Sequence, residues 1–409
     1  MKRTSEWVSA GHPDKTADYI SSYILDDYLR EDPKTRFALE VMVKNNTVIL
    51  GGEITSTVNR SEDDYKRLVK EALDNIGYIK EYSKKWGEHA IEQDKLEVKT
   101  IISKQSPNIA QGVDNDGWGD QGIFYGYAHA SAIDDNFSPD YYIAKSLGQY
   151  LYKNAVEKNI GGLDIKTQVT MEEIDENASK SVKYLTQYQY DKLNANGGTE
   201  PETFYIITEG KPLKISNVVV AIPVLNNEEY ELVKEEVADF FKANYRVVNF
   251  PITINGTGIY QTHSSIGDCG ITGRKLVVDF YGSGCNVGGG TAFGKEPHKA
   301  DLSLNLYARY MALKFLQELK YLNDEITEVK VQLSCCIGKD DVTIDIKGYD
   351  KNEYLVNKES KVLKLPPSKV IKMLDLEKPI YAELCKNGLF TKVDEQFKNS
   401  LKDDTRPDI

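Results

Sequence analysis

An α+β fold, with helices on one face of mostly antiparallel sheets, is what this chain predicts. Short alternating apolar runs recur along it, helical stripes are interspersed without a regular strand-helix-strand order, and 409 residues suffice for two or three globular units. The first helix begins at Pro13, which suits the first helical position, and Ala17, Ile20, Ile24 and Tyr28 follow at three- and four-residue spacing. Phe37, Leu39, Val41 and Val43 then alternate with Ala38, Glu40 and Met42, Asn45-Asn46 turns the chain, and Thr47 to Ile54 returns it as a hairpin. Glu40 faces away from its apolar neighbours, and Glu53 follows Gly51-Gly52, where another group can approach the strand.

Tyr65, Leu68, Val69, Ala72, Leu73 and Ile76 form a helical stripe that Gly77 ends. Strand-then-helix patterns return at Val218 to Val224 before Tyr230, Val233, Val237, Phe240 and Phe241, and at Val329 to Ile337 before Lys369 to Leu374. The polar stretch from Met171 to Pro212, with its Asn194-Ala195-Asn196-Gly197-Gly198 run, reads as an excursion between units.

Charge narrows the function classes. Lys plus Arg total 51 against 63 Asp plus Glu, and a net charge of −12 repels polyanions, which argues against nucleic acid as a partner. Any phosphate site must therefore be locally basic. No apolar stretch approaches the ~18 residues that would span a bilayer, and the first residues carry no secretory pattern, so a soluble cytoplasmic protein without a membrane partner is expected. Five cysteines without Cys-x-x-Cys spacing read as reduced thiols filling the core.

The densest chemistry lies between Gly267 and Asp301, where Asp268, Arg274, Lys275, Lys295, Lys299 and Asp301 are interleaved with glycines. Glycine lets backbone N–H groups approach an anion, arginine supplies a planar fork and lysine a mobile point charge, so a phosphate cradle fits. Gly288-Gly289-Gly290 reads equally as a wide hairpin turn. Gly289-x-x-x-x-Gly294-Lys295 copies most of a P-loop, but Glu296 stands where Ser or Thr would hold magnesium, and the match fails there. His12, ahead of Pro13 and two positions before Asp14, can serve one substrate with that carboxylate; a helix cap and a first-turn acid explain the same residues structurally. Glu40 and Glu53 also fit solvated strand positions. Asp164-Ile165-Lys166 places two charges on one face of a strand ending in Gln168-Val169, with an exposed sheet edge as the plain alternative.

Together these segments resemble the S-adenosylmethionine synthetase (methionine adenosyltransferase) family, in its bacterial type, along nearly the whole chain. The ordered matches are Ser5-Glu6 through Gly11-His12-Pro13-Asp14-Lys15, Gly51-Gly52-Glu53, Gln105-Ser106-Pro107 with Gln111-Gly112-Val113, Gly119-Asp120-Gln121-Gly122, Asp164 through Val169, Gly267-Asp268 with Thr272-Gly273-Arg274-Lys275, and Gly288 through Lys295, Pro297, Lys299 and Asp301. The resemblance implies that ATP, L-methionine and water become S-adenosylmethionine, phosphate and diphosphate, by sulfur attack on the 5′-carbon followed by tripolyphosphate hydrolysis.

By the same resemblance His12 donates to the bridging oxygen, while Lys166, Arg274, Lys275 and Lys295 hold the polyphosphate. Asp164, Tyr260, Asp268 and Thr291 complete the ATP site, with Tyr260 stacked on adenine. Glu53, Gln105, Asp120, Asp268 and Lys299 meet methionine. Asp14 and Asp301 hold two magnesium ions, and Glu40 holds one potassium ion per subunit. The implied fold is three similar units about a pseudo-threefold axis, which we place at residues 1–110, 111–240 and 241–409, the chain crossing between units. The implied assembly is a homodimer, or a tetramer of paired dimers, with active sites at the subunit interface.

The chain departs from the family pattern at several points. Ile259 replaces an arginine beside adenine, Tyr260 a phenylalanine, and His263-Ser264-Ser265 a Gly-Gly-Pro turn, so a rearranged base site is expected. Asn108 replaces an aspartate, Asp114 to Trp118 forms a shortened bridge to Gly119 that predicts a shorter gating loop, and Lys386 to Phe390 lacks the usual aromatic-Gly-His-Phe-Gly ending. The competing readings are an ATP-dependent phosphotransferase, which would release ADP, and a non-catalytic nucleotide-binding subunit that retains the fold.

Overall fold

The computed structural model describes residues 2–104, 116–130, 136–173, 206–208, 211–245 and 250–402. Its strands are β1 (Lys2–Val8), β2 (Arg36–Lys44), β3 (Thr47–Thr55), β4 (Glu97–Ser103), β5 (Gly122–His129), β6 (Lys166–Glu173), β7 (Ile206–Thr208), β8 (Lys211–Ala221), β9 (Ile252–Ile254), β10 (Gly270–Ile271), β11 (Ile326–Cys335), β12 (Asp341–Asp350) and β13 (Leu355–Lys364). The helices are α1 (Pro13–Glu31), α2 (Glu62–Ile76), α3 (Lys80–Trp86), α4 (Pro139–Glu157), α5 (Asn227–Tyr245), α6 (Ser264–Gly267), α7 (Leu276–Asp279), α8 (Ala300–Leu322), α9 (Pro367–Leu374), α10 (Tyr381–Asn387) and α11 (Thr391–Lys402).

These form three sheets, ordered β1-β6-β8-β7 with β9 beside β8, β10-β2-β3-β4, and β13-β12-β11-β5. Pairing is antiparallel except between β3 and β4 and between β8 and β9, so the α+β expectation holds. The sheets draw on distant segments: β1, β6, β8 and β9 share one of them. Each sheet carries one long helix on a face, α4 against β1 and β6, α1 against β2, and α8 against β5 and β11.

The expected early elements are present. Gly77, at φ 111°, closes α2 in the left-handed region that glycine enters without strain. In the hairpin Phe37, Leu39, Val41, Val43, Val48 and Leu50 are buried, while Ala38, Glu40, Gly51 and Glu53 lie on the other face. At Gly52 a Cβ would sit 2.1 Å from the Ala38 carbonyl oxygen, which is why the strands close up there.

The strand expected from Val329 and the helix expected from Lys369 to Leu374 are present as β11 and α9, with β12 and β13 between them. Three other expectations are corrected. The strand expected across Asp164 begins only at Lys166 and runs to Glu173; β6 lies between β1 and β8, so it is no exposed edge. The expected excursion from Met171 to Pro212 is part of the β6-β7-β8 sheet at both ends, with 174–205, including Asn194 to Gly198, outside the described residues. All five thiols are free; Cys385 is buried and Cys285 and Cys335 pack half-buried against the core, but Cys336 is exposed, so core filling does not describe them all.

Candidate active site

The first cluster forms where α1 starts. Gly11 packs so closely on the 163 carbonyl that a Cβ would lie 2.3 Å from the Leu163 oxygen, which fixes where His12 enters. His12 is the N-cap, and its Nδ1 accepts the Asp14 N–H at 3.2 Å. The cap reading of His12 is thus correct. It also fixes the tautomer: Nδ1 accepts, so Nε2 carries the hydrogen and is free to donate. Burial, reinforced by Lys275, pushes the His12 imidazole down to about 4, so it is neutral near pH 7.

Asp14 is fully enclosed. Its Oδ1 accepts the Ile271 N–H at 3.0 Å and its Oδ2 takes the Lys275 ammonium at 2.5 Å, with Arg274 Nε 3.6 Å from Oδ1. Burial pushes this carboxyl up, but the bonds from Lys275 and Ile271 outweigh it and hold the group below the usual carboxylate range. At the next position, Lys15 Nζ binds Asp279 Oδ1 at 2.6 Å and Asp18 Oδ2 at 3.1 Å, while Asp18 Oδ1 accepts the Gly273 N–H at 2.9 Å. This buried trio fastens α1 to the segment that carries Arg274 and Lys275. Composition misses it, because lysine is rarely so buried unless paired.

Lys166 begins β6 opposite Val8 and reaches Glu6 at 2.8 Å. Its charge, with those of Lys275, Asp14 and Asp268, acts on His12, so these groups share one neighbourhood. Asp164 accepts the Ser264 N–H at 3.0 Å, and burial pushes its carboxyl up to about 7, with Asp268 adding to the rise. Tyr260 lies on the strand-free approach to α6, its carbonyl accepting the Val224 N–H at 3.0 Å.

A second cluster gathers at the start of α8. Asp301 Oδ1 accepts the Gly290 N–H at 2.9 Å and its Oδ2 contacts the Lys295 ammonium, so 288–290 cradles a carboxylate and is flanked by no hairpin. Lys299 caps α8, Thr291 is buried, and its hydroxyl accepts the Phe293 N–H at 3.2 Å. Glu296 turns away to His298 and Arg36, so the near-P-loop run is not a strand-loop-helix phosphate site. Glu40 bonds the Thr272 hydroxyl, Glu53 sits across from Ala38, and exposed Asp120 accepts the Gln121 N–H at 2.8 Å. Gln105, Asn108, Asp114 and Asn115 lie outside the described residues, while Trp118 at the end of the shortened bridge is buried and donates to the Leu365 carbonyl at 3.0 Å.

The structure thus brings His12, Asp14, Lys166, Asp268, Arg274 and Lys275 together, with the Lys295, Asp301 and triglycine cluster beside them, Gly273 packing so closely on Thr291 that a Cβ would lie 2.9 Å from the threonine Cβ. Among the described residues no hydrogen bond or ion pair joins the two groups. Sequence reasoning missed Lys15, Asp18 and Asp279; only the Lys15–Asp18 spacing of three on one helix was visible. Asp14 and Asp301 suit magnesium: each is a hard carboxylate already drawn to a cation. No three metal-ligating side chains gather among the described residues, so phosphate oxygens and water would have to complete the coordination.

Comparisons with known proteins point to one family. The model for the S-adenosylmethionine synthetase N-terminal domain matches residues 1–107, and that for the C-terminal domain matches 262–399. An S-adenosylmethionine synthase of Mycoplasma capricolum subsp. capricolum is 32% identical over 96% of this chain and 92% of its own. A solved structure described as an unusual S-adenosylmethionine synthetase from Campylobacter jejuni superposes with a TM-score of 0.73 at 28% identity, covering 97% of this chain and 99% of that one.

Proposed function

The chain belongs to the S-adenosylmethionine synthetase family and to that enzyme class, and from this premise we propose how its own residues carry out the reaction. The methionine thioether sulfur attacks the ATP 5′-carbon, forming the C–S bond as the C–O bond to the triphosphate breaks. A neutral thioether carries no proton to remove, so rate must come from alignment and from stabilising charge on the departing oxygen. His12 donates its Nε2–H to that oxygen as the bond breaks. Lys166, Arg274, Lys275 and Lys295 hold the polyphosphate, and the same groups then retain it for hydrolysis to phosphate and diphosphate.

Asp14 and Asp301 would hold the two magnesium ions, which supply charge neutralisation at the phosphates. Glu40 would hold potassium. Asp164, Asp268, Thr291 and Tyr260 would seat the nucleoside, and Glu53, Gln105, Asp120 and Lys299 the amino acid. Membership of the family is what supports assigning the His12 and Lys295 groups to a site completed across a homodimer, in the cytoplasm. The exposed face of β2, β3 and β4, where Ile101 is 72% exposed, is the surface such a dimer would cover.

One observation carries the reading most directly: in a chain of net charge −12, Lys166, Arg274 and Lys275 converge on the neutral donor His12 at a helix start. Incubating the chain with ATP, methionine, magnesium and potassium should yield the sulfonium product, orthophosphate and pyrophosphate by mass. Release of ADP would establish the phosphotransferase reading, and no turnover the non-catalytic one.

A further inference from the structure

His263, which the resemblance sets against a glycine of the family pattern, is almost wholly enclosed. Its ring meets Trp86 edge-on at 4.7 Å and Tyr82 at 5.9 Å. Nδ1 lies 2.7 Å from the Gln261 carbonyl oxygen, which can only accept, so Nδ1 carries the hydrogen. Nε2 therefore accepts from the Tyr82 hydroxyl, 2.5 Å away, and the same Tyr82 oxygen accepts the Leu163 N–H at 3.0 Å. The direction of every bond in this chain is fixed by its two ends.

A second contact runs beside it. Ser264, at φ 54°, donates its N–H to Asp164. Two consecutive residues, 263 and 264, are thus fastened to two others, 163 and 164. The 163–164 turn is the one packed on Gly11 just before His12, and it leads into Lys166. The opposite end of the fastened segment carries Tyr260.

We propose that His263 is a positioning residue for the nucleotide: through Tyr82 it sets the segment bearing Tyr260 in register with His12 and Lys166. This rests on the reading of Tyr260 as the residue that meets the base. The imidazole is suited to it, since burial pushes His263 down to about 4 and leaves it neutral across ordinary assay conditions, with Lys85 and His89 the charged or titratable groups facing it. Glycine at this position could make neither bond.

The test compares Tyr82→Phe, His263→Leu, His263→Gln and the Tyr82→Phe/His263→Leu double variant, each checked for folding by circular dichroism. Tyr82→Phe removes one oxygen and keeps the ring on Trp86, so it carries the test if His263→Leu does not fold. Tyr82→Phe and His263→Leu should each raise the Kd and KM for magnesium-ATP about fivefold, about what the Tyr82–His263 bond common to both is worth. The KM for methionine and the hydrolysis of added tripolyphosphate should stay within about twofold, because neither uses the base segment. The double variant should be no worse than the poorer single one, and His263→Gln, whose amide oxygen can accept from Tyr82, should recover most of the ATP affinity. Unchanged ATP binding in folded variants, an equal loss for ATP, methionine and tripolyphosphate, or additive losses would overturn the proposal. ATP binding is measured without turnover, so a wild-type chain that binds ATP but forms no sulfonium refutes the reaction reading while this inference is still decided.

Discussion

Lys275 Nζ lies 2.5 Å from Asp14 Oδ2, a pair formed between residues 261 positions apart. The carboxylate side chain is 1% exposed, whereas Asp301, the partner of Lys295, is 25% exposed. An enclosed carboxylate left without its cation costs more than one that water can reach. Lys275→Met should therefore lower unfolding stability by about 2 kcal/mol and Lys295→Met by well under half as much. Denaturant titration of both variants without ligand measures this, and equal losses would mean that Asp14 is wetter than the structure has it.

Lys295→Met separates chemistry from folding. The backbone at 295 bridges Ala38 whatever its side chain, so the segment keeps its place. If the ammonium holds the departing polyphosphate, its loss should cost about a thousandfold in sulfonium formation, the upper end for one preorganised charge or donor. Unchanged turnover in that variant would remove Lys295 from the phosphate clamp.

His12→Asn tests the donor rather than the cap. Asparagine is as good an N-cap as any residue, and its Oδ1 can take over the Asp14 N–H, so α1 should start where it does now. What disappears is the Nε2–H. Adenosyl transfer should fall roughly a hundred- to thousandfold, with hydrolysis of added tripolyphosphate much less affected, because only the first step breaks the bond at the 5′-carbon. Equal losses in the two half-reactions would count against the role.

How far the sequence could be read depended on distance along the chain. α1, the β2-β3 hairpin and α2 were legible because each is patterned within its own residues and half-buried against the same core. β13 was not, since Leu355, Val356 and Val362 are exposed on an edge strand and no clean alternation marks it. At the site, the residue types were legible as motifs, but their partners were not. Lys275 to Asp14, Lys15 to Asp279 and Tyr82 to His263 each join segments more than 180 positions apart, and nothing local announces such a pair. The altered ending at Lys386 to Phe390 likewise made sense only in three dimensions: Phe390 stacks on Tyr281 at 4.7 Å and lies 6.0 Å from the Arg309 guanidinium, so it serves the core beneath α8.

Asp164 supplies a pH test. Burial pushes its carboxyl up to about 7, against about 3.9 in an unfolded chain. Between those values the folded state holds a proton that the unfolded state has released, so this group's contribution is full below about pH 4 and is lost as pH rises toward 7. Asp26 and Asp279 are raised by burial in the same direction, so the wild-type slope alone does not isolate Asp164. Asp164→Asn does. Its amide oxygen can still accept the Ser264 N–H but never ionises, so the variant keeps what the wild type loses. Without ligand, the stability difference between variant and wild type should grow in the variant's favour from pH 5 to pH 8, by no more than about 2.7 kcal/mol. ATP affinity should fall in the same variant if the carboxylate helps to seat the nucleoside. A stability difference that stays constant between pH 5 and pH 8 would show that Asp164 ionises normally and that its burial beside Ser264 is shallower than described.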